Sequence, residues 1–382
     1  MKHNRKIIYL AGFLFSIPLA LTSYINSSFL ENYVNEYCLS IIYVVASIIT
    51  IWALIGMPKI LTRLGNRRST LWLGLIISLS LISLAFANKS FIAIGAFILY
   101  FIAGNLIIAT LDIFIEDFSK SGTVGRFRGF YLMVMNSAWI IAQLISGSII
   151  ARSSFRGIYL LSALFMILFA IVFILFLHNF IDPKYKKVPI LKTLKLFIQN
   201  KNISGIYLIN LILKFFYAWM VIYTPIYLHQ YIGFSWSQIG MIFSIMLLPF
   251  VILEFPLGKL SDRIGEKKML ICGSLIIALF TLAIPLINQQ KLWIWAAVLF
   301  ATRVGAAIIE VMSESYFFKI IDEENADVIS FFRNANPLSY IIAPLLAIPV
   351  LFFVPSFKYL FFVLGAILLA GFFLSLRLRD VK

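Results

Sequence analysis

Residues Gly258–Lys268 read GKLSDRIGEKK, a short charged segment that lies between two long apolar runs. A weaker copy of the same pattern, PKILTRLGNRR, covers Pro58–Arg68. Gly65 and Gly265 occupy the same place in the two copies, and they are 200 residues apart. A repeat on this scale predicts that the chain is built from two related halves.

The composition predicts a membrane protein. The 382 residues are 62% hydrophobic and 13% charged, whereas soluble proteins have about 45–50% apolar and about 25% charged residues. The apolar residues form runs of about 20, the length that crosses a bilayer as a helix. The formal net charge of +16 comes from Lys and Arg residues in the short segments between these runs. We therefore expect a lipid bilayer as a partner and no binding of nucleic acid.

We predict an all-α integral membrane protein with twelve transmembrane helices in two six-helix halves. The predicted spans are approximately 7–28, 38–58, 70–87, 91–113, 129–150, 157–179, 203–228, 237–256, 269–288, 292–314, 328–352 and 356–376. The two halves are residues 1–180 and 203–382, and residues 181–202 form a linker between them. Apolar residues of this linker share one helical face, which predicts an interfacial amphipathic helix, with a plain basic linker as the alternative.

The distribution of Lys and Arg predicts the orientation of the spans. Of the 32 basic residues, 25 flank the span ends on the side of the chain termini, and five flank the opposite ends. Because basic residues concentrate in cytoplasmic loops, both termini are expected in the cytoplasm. The usage of Ile, Phe and Lys suggests a prokaryotic protein, and so we expect it in the plasma (inner) membrane.

The GKLSDRIGEKK segment resembles the signature loop of the major facilitator superfamily of transporters, G-x-L-x-D-R-x-G-x-K-K. The resemblance covers the whole chain, with Pro58 and Thr62 standing where the family pattern has its glycine and its acid in the first copy. It implies alternating access around a central cavity lined by spans 1, 4, 7 and 10. It also implies a cytoplasmic latch, whose residues here would be Gly258, Asp262, Arg263, Gly265, Lys267 and Glu314, with Arg63 and Gly65 in the first copy. The alternative is a simple basic turn.

Two basic residues lie inside predicted spans. Lys214 is about eleven residues into span 7, and Arg303 is about eleven residues into span 10, so both are near the middle of the membrane. Such charges cost a few kcal/mol to insert and usually face water, a partner or a substrate. No acid is expected at the same depth, which favours an electropositive cavity. The alternative is pairing with Glu310, about 10 Å from Arg303 along the helix, or with Glu254 or Asp112.

These residues define the candidate site. Lys214 and Arg303 are expected to contact the substrate, with Tyr217, Asn105 and Tyr24 completing the pocket, although interhelical hydrogen bonds are the alternative for the three neutral residues. Glu310 is the candidate proton-coupling residue, because a carboxylate in a low dielectric can carry a proton during transport.

We therefore expect a secondary active transporter of a small polar or anionic solute that is proton-coupled or facilitative. The alternatives are an efflux transporter of amphipathic compounds and a membrane receptor or scaffold without transport. The His residues are scattered, and the sequence contains no phosphate-binding loop, catalytic cluster or metal-ligand spacing. We expect no enzymatic activity, no cofactor and no metal, and we expect a monomer.

Overall fold

The structure is a computed structural model that describes residues 2–118, 124–177, 199–320, 332, 334–354 and 356–379. The regular secondary structure within these ranges is helical. The helices are α1 (Lys2–Ser23), α2 (Asn26–Leu30), α3 (Glu36–Leu64), α4 (Asn66–Ala85), α5 (Ser90–Phe118), α6 (Val124–Phe176), α7 (Lys201–Ile226), α8 (Trp236–Ile264), α9 (Glu266–Ala283), α10 (Leu292–Ile320), α11 (Ala335–Phe353) and α12 (Tyr359–Arg377). A π-helical turn, Tyr227–Tyr231, extends α7, and a 3₁₀ turn, Ile284–Leu286, extends α9.

The described helices contain twelve transmembrane spans. Eleven segments are long and apolar enough to cross a membrane, and one of them, Val134–Phe176, has 43 residues. One crossing takes about 20 residues, so this segment of α6 crosses twice. The backbone of α6 breaks at Ser154, with φ 57° and ψ −169°, which places a turn between the fifth and sixth spans. The predicted all-helical, twelve-span fold is confirmed.

Two charged segments, one between spans 2 and 3 and one between spans 8 and 9, are mostly helical, although the sequence suggested loops. Helix α3 continues to Leu64 and α8 continues to Ile264, so a single glycine joins each helix to the next. Gly65 has φ 78° and Gly265 has φ 85°, a backbone region that residues with a Cβ atom rarely adopt. The matched glycines are therefore required by two equivalent sharp turns.

Each turn is fixed by a buried polar residue that directly follows the glycine. Asn66 is fully buried, and its Nδ2 donates a hydrogen bond of 3.0 Å to the Thr110 carbonyl oxygen on α5. At the equivalent place the Glu266 carboxylate, 1% exposed, accepts hydrogen bonds from Lys319 Nζ at 2.5 Å and Ser315 Oγ at 3.1 Å, both on α10. The turn after span 2 is thus tied to span 4, and the turn after span 8 is tied to span 10.

The two halves share several helix contacts. In the first half, α1 packs against α5 and α6, and α4 packs against α5 and α6. In the second half, α7 packs against α10, α11 and α12, and α9 packs against α10 and α12. Because α6 supplies spans 5 and 6, these contacts correspond pair by pair, as expected for a repeated six-helix unit.

The chain divides into two compact units. The first comprises Met1–Lys187 together with Ser235–Gly240, and the second comprises Val188–Phe234 together with Met241–Lys382. Most of the predicted linker, residues 181–198, lies outside the described residues, so its interfacial helix stays a prediction. The side chains of Asp112, Glu254, Asp262 and Arg263 and the surroundings of Gly258 are also outside what the structure describes.

Candidate functional site

Helices α7 and α10 bring the predicted charged residues together in the second unit. The Nζ of Lys214, on α7, lies 2.7 Å from Oε1 of Glu310, on α10. The other carboxylate oxygen, Oε2, accepts a hydrogen bond of 2.9 Å from the hydroxyl of Tyr217, one turn along α7. The side chains of Lys214 and Glu310 are 21% and 30% exposed, so this ion pair is open on one side.

The Lys214–Glu310 pair corrects the expectation that no acid lies at the depth of Lys214. Successive spans cross the membrane in alternate directions, so α7 and α10 run antiparallel. Side chains on a helix lean toward its N-terminus, and on antiparallel helices they lean in opposite directions. Lys214 and Glu310 therefore lean toward each other, and they meet although their backbone positions differ in depth.

Arg303 lies outside this ion pair. It is 1% exposed, and its Nη1 and Nη2 have no hydrogen-bond partner among the described residues. Its Cζ lies 4.6 Å from the ring centroid of Phe216 and 5.8 Å from that of Tyr217, so aromatic faces of α7 partly compensate the charge. Arg303 leans toward the N-terminus of α10, which is away from Glu310, and this explains why the alternative pairing of these two residues does not form.

Besides Nη1 and Nη2 of Arg303, a third buried hydrogen-bond donor lies on α7. Trp219, one turn beyond Phe216, is fully buried, and its Nε1 has no hydrogen-bond partner among the described residues. Lys214, Arg303 and Glu310 together carry a net charge of +1, because one carboxylate neutralises only one of the two cations. The second unit therefore holds a buried positive charge and unpaired donors, which is an arrangement suited to an acceptor or an anion.

Comparison with known proteins identifies the family. The sequence model of the Major Facilitator Superfamily matches residues 7–237 and residues 206–382. The chain belongs to the Major Facilitator Superfamily. Among solved structures, a crystal structure of a mutant of the nucleoside transporter NupG matches with a TM-score of 0.78 at 11% identity, over 98% of this chain and 99% of that chain. At this identity the match shows a shared fold. A search of curated proteins gave no significant match.

As a Major Facilitator Superfamily member, the chain is an integral membrane transporter with a small-molecule substrate.

The predicted neutral site residues Tyr24 and Asn105 lie in the first unit. Tyr24 is buried, and Asn105 Nδ2 donates to the Phe101 carbonyl oxygen of its own helix at 2.9 Å. Polar pairs that the sequence did not predict also lie there: the hydroxyls of Thr22 and Tyr100 are 2.6 Å apart, and Tyr159 donates to Asn26 Oδ1 at 3.0 Å.

In the part of the chain that the structure describes, buried charge is confined to the second unit. Among the described residues, the buried charged side chains are Arg303 and Glu266, whereas the buried polar side chains of the first unit are all uncharged. Sequence reasoning missed Glu266 because it stands at an unspecified place of the family pattern. The sequence feature that could have identified Glu266 is its place beside two lysines, since an acid among basic residues suggests a nearby cation.

The other described residues of the predicted latch lie at helix ends or on α10. Arg63 is exposed in the last turn of α3, and Lys267 is half-buried in the first turn of α9. Glu314 is half-buried on α10, one turn beyond Glu310. Gly65 and Gly265 form the turns, and the role of the motif as a latch stays a proposal.

Proposed function

We propose that this Major Facilitator Superfamily member is a secondary active transporter that moves a small polar or anionic solute by alternating access. The observation that carries the proposal is Arg303, a buried guanidinium whose Nη1 and Nη2 lack a partner among the described residues. Leaving such a group unsatisfied costs about 1–3 kcal/mol or more for a charge. A solute that supplies an anionic or acceptor group would recover this free energy.

Lys214, Tyr217 and Glu310 supply the accessible part of the proposed site. Lys214 and Tyr217 bind the polar group of the solute, and Glu310 couples its movement to protons, with facilitative transport as the alternative. Tyr24 and Asn105 contribute uncharged contacts from the first unit. The proposed latch comprises Gly258, Asp262, Arg263, Gly265, Lys267 and Glu314, with Arg63 and Gly65 in the first turn.

The remaining features of the proposal follow from composition and topology. The transporter lies in a prokaryotic plasma (inner) membrane with both termini in the cytoplasm, since basic residues concentrate on that side. It functions as a monomer, without a cofactor and without enzymatic activity.

Export of amphipathic compounds is the second candidate function. The pairing of Lys214 with Glu310 favours it, because the pair removes one of the two positive charges. Aromatic rings line the same region: the rings of Tyr217 and Phe250 are 6.1 Å apart, and Phe216 covers Arg303. An amphipathic cation would bind to these rings and to the carboxylate of Glu310.

A thermal-stability screen of the purified protein tests the proposal. A ligand that binds only the folded state raises its stability by mass action. The screen would use benzoate, lactate and phosphate as anions, uridine as a neutral solute, and tetraphenylphosphonium as a lipophilic cation. We expect stabilisation by an anion or by uridine, and loss of the stabilisation by an anion in Arg303→Ala and Lys214→Ala.

Stabilisation by tetraphenylphosphonium alone, kept in both variants, would replace the proposal with the export function. Flux of the stabilising compound into vesicles containing the protein then separates transport from binding without transport.

A further inference from the structure

The carboxylate of Glu310 is held in the way that a bound carboxylate solute would be held. One oxygen faces the ammonium of Lys214 at 2.7 Å, and the other accepts from the hydroxyl of Tyr217 at 2.9 Å. A cation and a neutral donor on one helix, α7, thus engage both oxygens of an acid from a second helix. The three groups form a complete carboxylate-binding site, and in this structure the protein's own side chain occupies it.

We propose that Glu310 is an internal counterion that the anionic group of a carboxylate solute displaces from Lys214 and Tyr217, and that the displaced Glu310 takes up one proton. The inference rests on the proposed function, and it assigns the solute class, a small monocarboxylate, and the coupling, one proton per solute.

The ion pair is accessible enough for this exchange. Lys214 and Glu310 are 21% and 30% exposed, in contrast to Arg303, which is 1% exposed. Tyr217 is half-buried, between the pair and the ring of Phe250. A solute can therefore approach Lys214 and Tyr217 without first unpacking Arg303. The flexible stem of Lys214 allows its ammonium to turn from one carboxylate to another.

The charges that face Glu310 explain why a proton follows the solute. On α7 the groups in contact with Glu310 are the ammonium of Lys214 and the hydroxyl of Tyr217. The charged neighbours along α10 itself are Arg303, which leans away from Glu310, and Glu314. The charged residues of α9, the other helix packed on α10, are confined to its first turn, where Glu266 is held by Lys319. Among these groups only Lys214 forms an ion pair with Glu310. A carboxylate that loses its cation in a low-dielectric surrounding binds a proton.

The charge balance predicts electroneutral transport. The site holds a net charge of +1 before binding, with Lys214 and Arg303 positive and Glu310 negative. After a monocarboxylate binds and Glu310 is protonated, the net charge is again +1. The proton leaves when the solute departs and Glu310 returns to Lys214. One anion and one proton cross together, and no net charge moves across the membrane.

Proton uptake on binding gives a direct test. Purified protein in weakly buffered detergent is titrated with sodium benzoate and with sodium lactate while the pH of the solution is followed. We expect about one proton taken up per anion bound, and a dissociation constant that rises about tenfold per pH unit on the alkaline side. Glu310→Gln should still bind benzoate, because Lys214 is then free, but without proton uptake and without pH dependence.

Glu36→Gln is the matched control. Glu36 is half-buried in the first turn of α3, outside the proposed site and the proposed latch. This variant should take up a proton like the unchanged protein. Should Glu310→Gln fail to fold, the test is the uptake of labelled lactate into vesicles that contain the unchanged protein, after subtraction of the uptake into protein-free vesicles. This protein-dependent uptake should be driven by a proton gradient and be insensitive to an imposed membrane potential.

The outcomes separate this inference from the proposed function. Benzoate or lactate binding without proton uptake, or proton uptake that persists in Glu310→Gln, overturns the displacement of Glu310 and leaves an anion transporter. Uptake that responds to membrane potential also overturns it. If neither anion binds and tetraphenylphosphonium does, the proposed function fails together with the inference.

Discussion

Replacing each of the two cations of the candidate site by methionine is expected to have opposite effects on the stability of the folded protein. Arg303→Met removes a guanidinium whose Nη atoms are buried without a partner. Relief of such a group is worth about 1–3 kcal/mol, and loss of its contact with the Phe216 ring at 4.6 Å offsets about 0.5–2 kcal/mol. The net expectation is a folded state that is more stable by about 1 kcal/mol.

Lys214→Met should instead destabilise the protein. It leaves the carboxylate of Glu310 without its cation, a change that costs about 3–5 kcal/mol when the pair is fully buried. Because Lys214 and Glu310 are 21% and 30% exposed, water compensates part of this cost, and about 1–3 kcal/mol remains. The double variant Lys214→Met/Glu310→Gln should recover part of the loss, since it removes both charges together.

Thermal unfolding of the three variants in one detergent, without added solute, measures the difference. Arg303→Met is expected to unfold at a higher temperature than the unchanged protein, and Lys214→Met at a lower one. A lower unfolding temperature for Arg303→Met, of the size found for Lys214→Met, would refute the reasoning. It would mean that the guanidinium has a strong partner in the folded protein, and the main support for an anion site would be lost.

Five further substitutions test the framework around the site. Gly265→Ala should lower the free energy of unfolding by about 1–3 kcal/mol through backbone strain alone, because no atom lies within 4 Å of the added Cβ. Gly95→Ala adds a Cβ in equally open space within α5, and it should be neutral or stabilising in the same unfolding assay. Glu266→Gln should lower the free energy of unfolding by about 1 kcal/mol. Lys319→Met should lower it more, because this change leaves the buried carboxylate of Glu266 without its cation. Equal losses in the two variants would contradict this. Ser154→Gly should stabilise the protein by about 1 kcal/mol by relieving a positive φ, and a loss of stability would show that the Ser154 side chain is needed.

The number and type of the helices could be predicted from sequence because the bilayer permits few alternatives. A span must be helical to satisfy its backbone groups, and its length follows from the thickness of the hydrocarbon. The ends could not be predicted in the same way. Helix α3, with 29 residues, is about 44 Å long and continues through the basic segment that the sequence suggested was a loop. Hydropathy marks the apolar core of a span, and a polar helix end has no such signal.

The sequence singles out candidate site residues one by one but not their pairing. Lys214, Arg303 and Glu310 stand out because charges inside spans are rare. Their pairing depends on the lean of side chains on antiparallel helices, which brings Glu310 to Lys214 and turns Arg303 away. The lack of a partner for Arg303 is a property of packing in three dimensions, and no local sequence feature reports it.

Comparison of the two halves indicates where selectivity for charge should reside. The glycines at 65 and 265 form equivalent turns. The same interval along the sequence makes Thr110 the counterpart of Glu310, and the Thr110 hydroxyl donates a hydrogen bond to the Ile107 carbonyl oxygen of its own helix. The scaffold is therefore repeated, but its buried charge is not, since the first unit has only uncharged polar groups buried among its described residues.

This asymmetry predicts that the second unit selects solutes by charge. A neutral pocket residue contributes hydrogen bonds that raise the affinity for any polar solute. A cation in the site distinguishes anions from neutral solutes. Substitutions on α7 and α10, such as Lys214→Ala, should therefore change the preference between benzoate and uridine, whereas Asn105→Ala should weaken or preserve both to a similar extent. Binding measurements with the two probes would decide. A change of preference in Asn105→Ala as large as that in Lys214→Ala would show that the first unit also selects for charge, through groups other than its buried side chains.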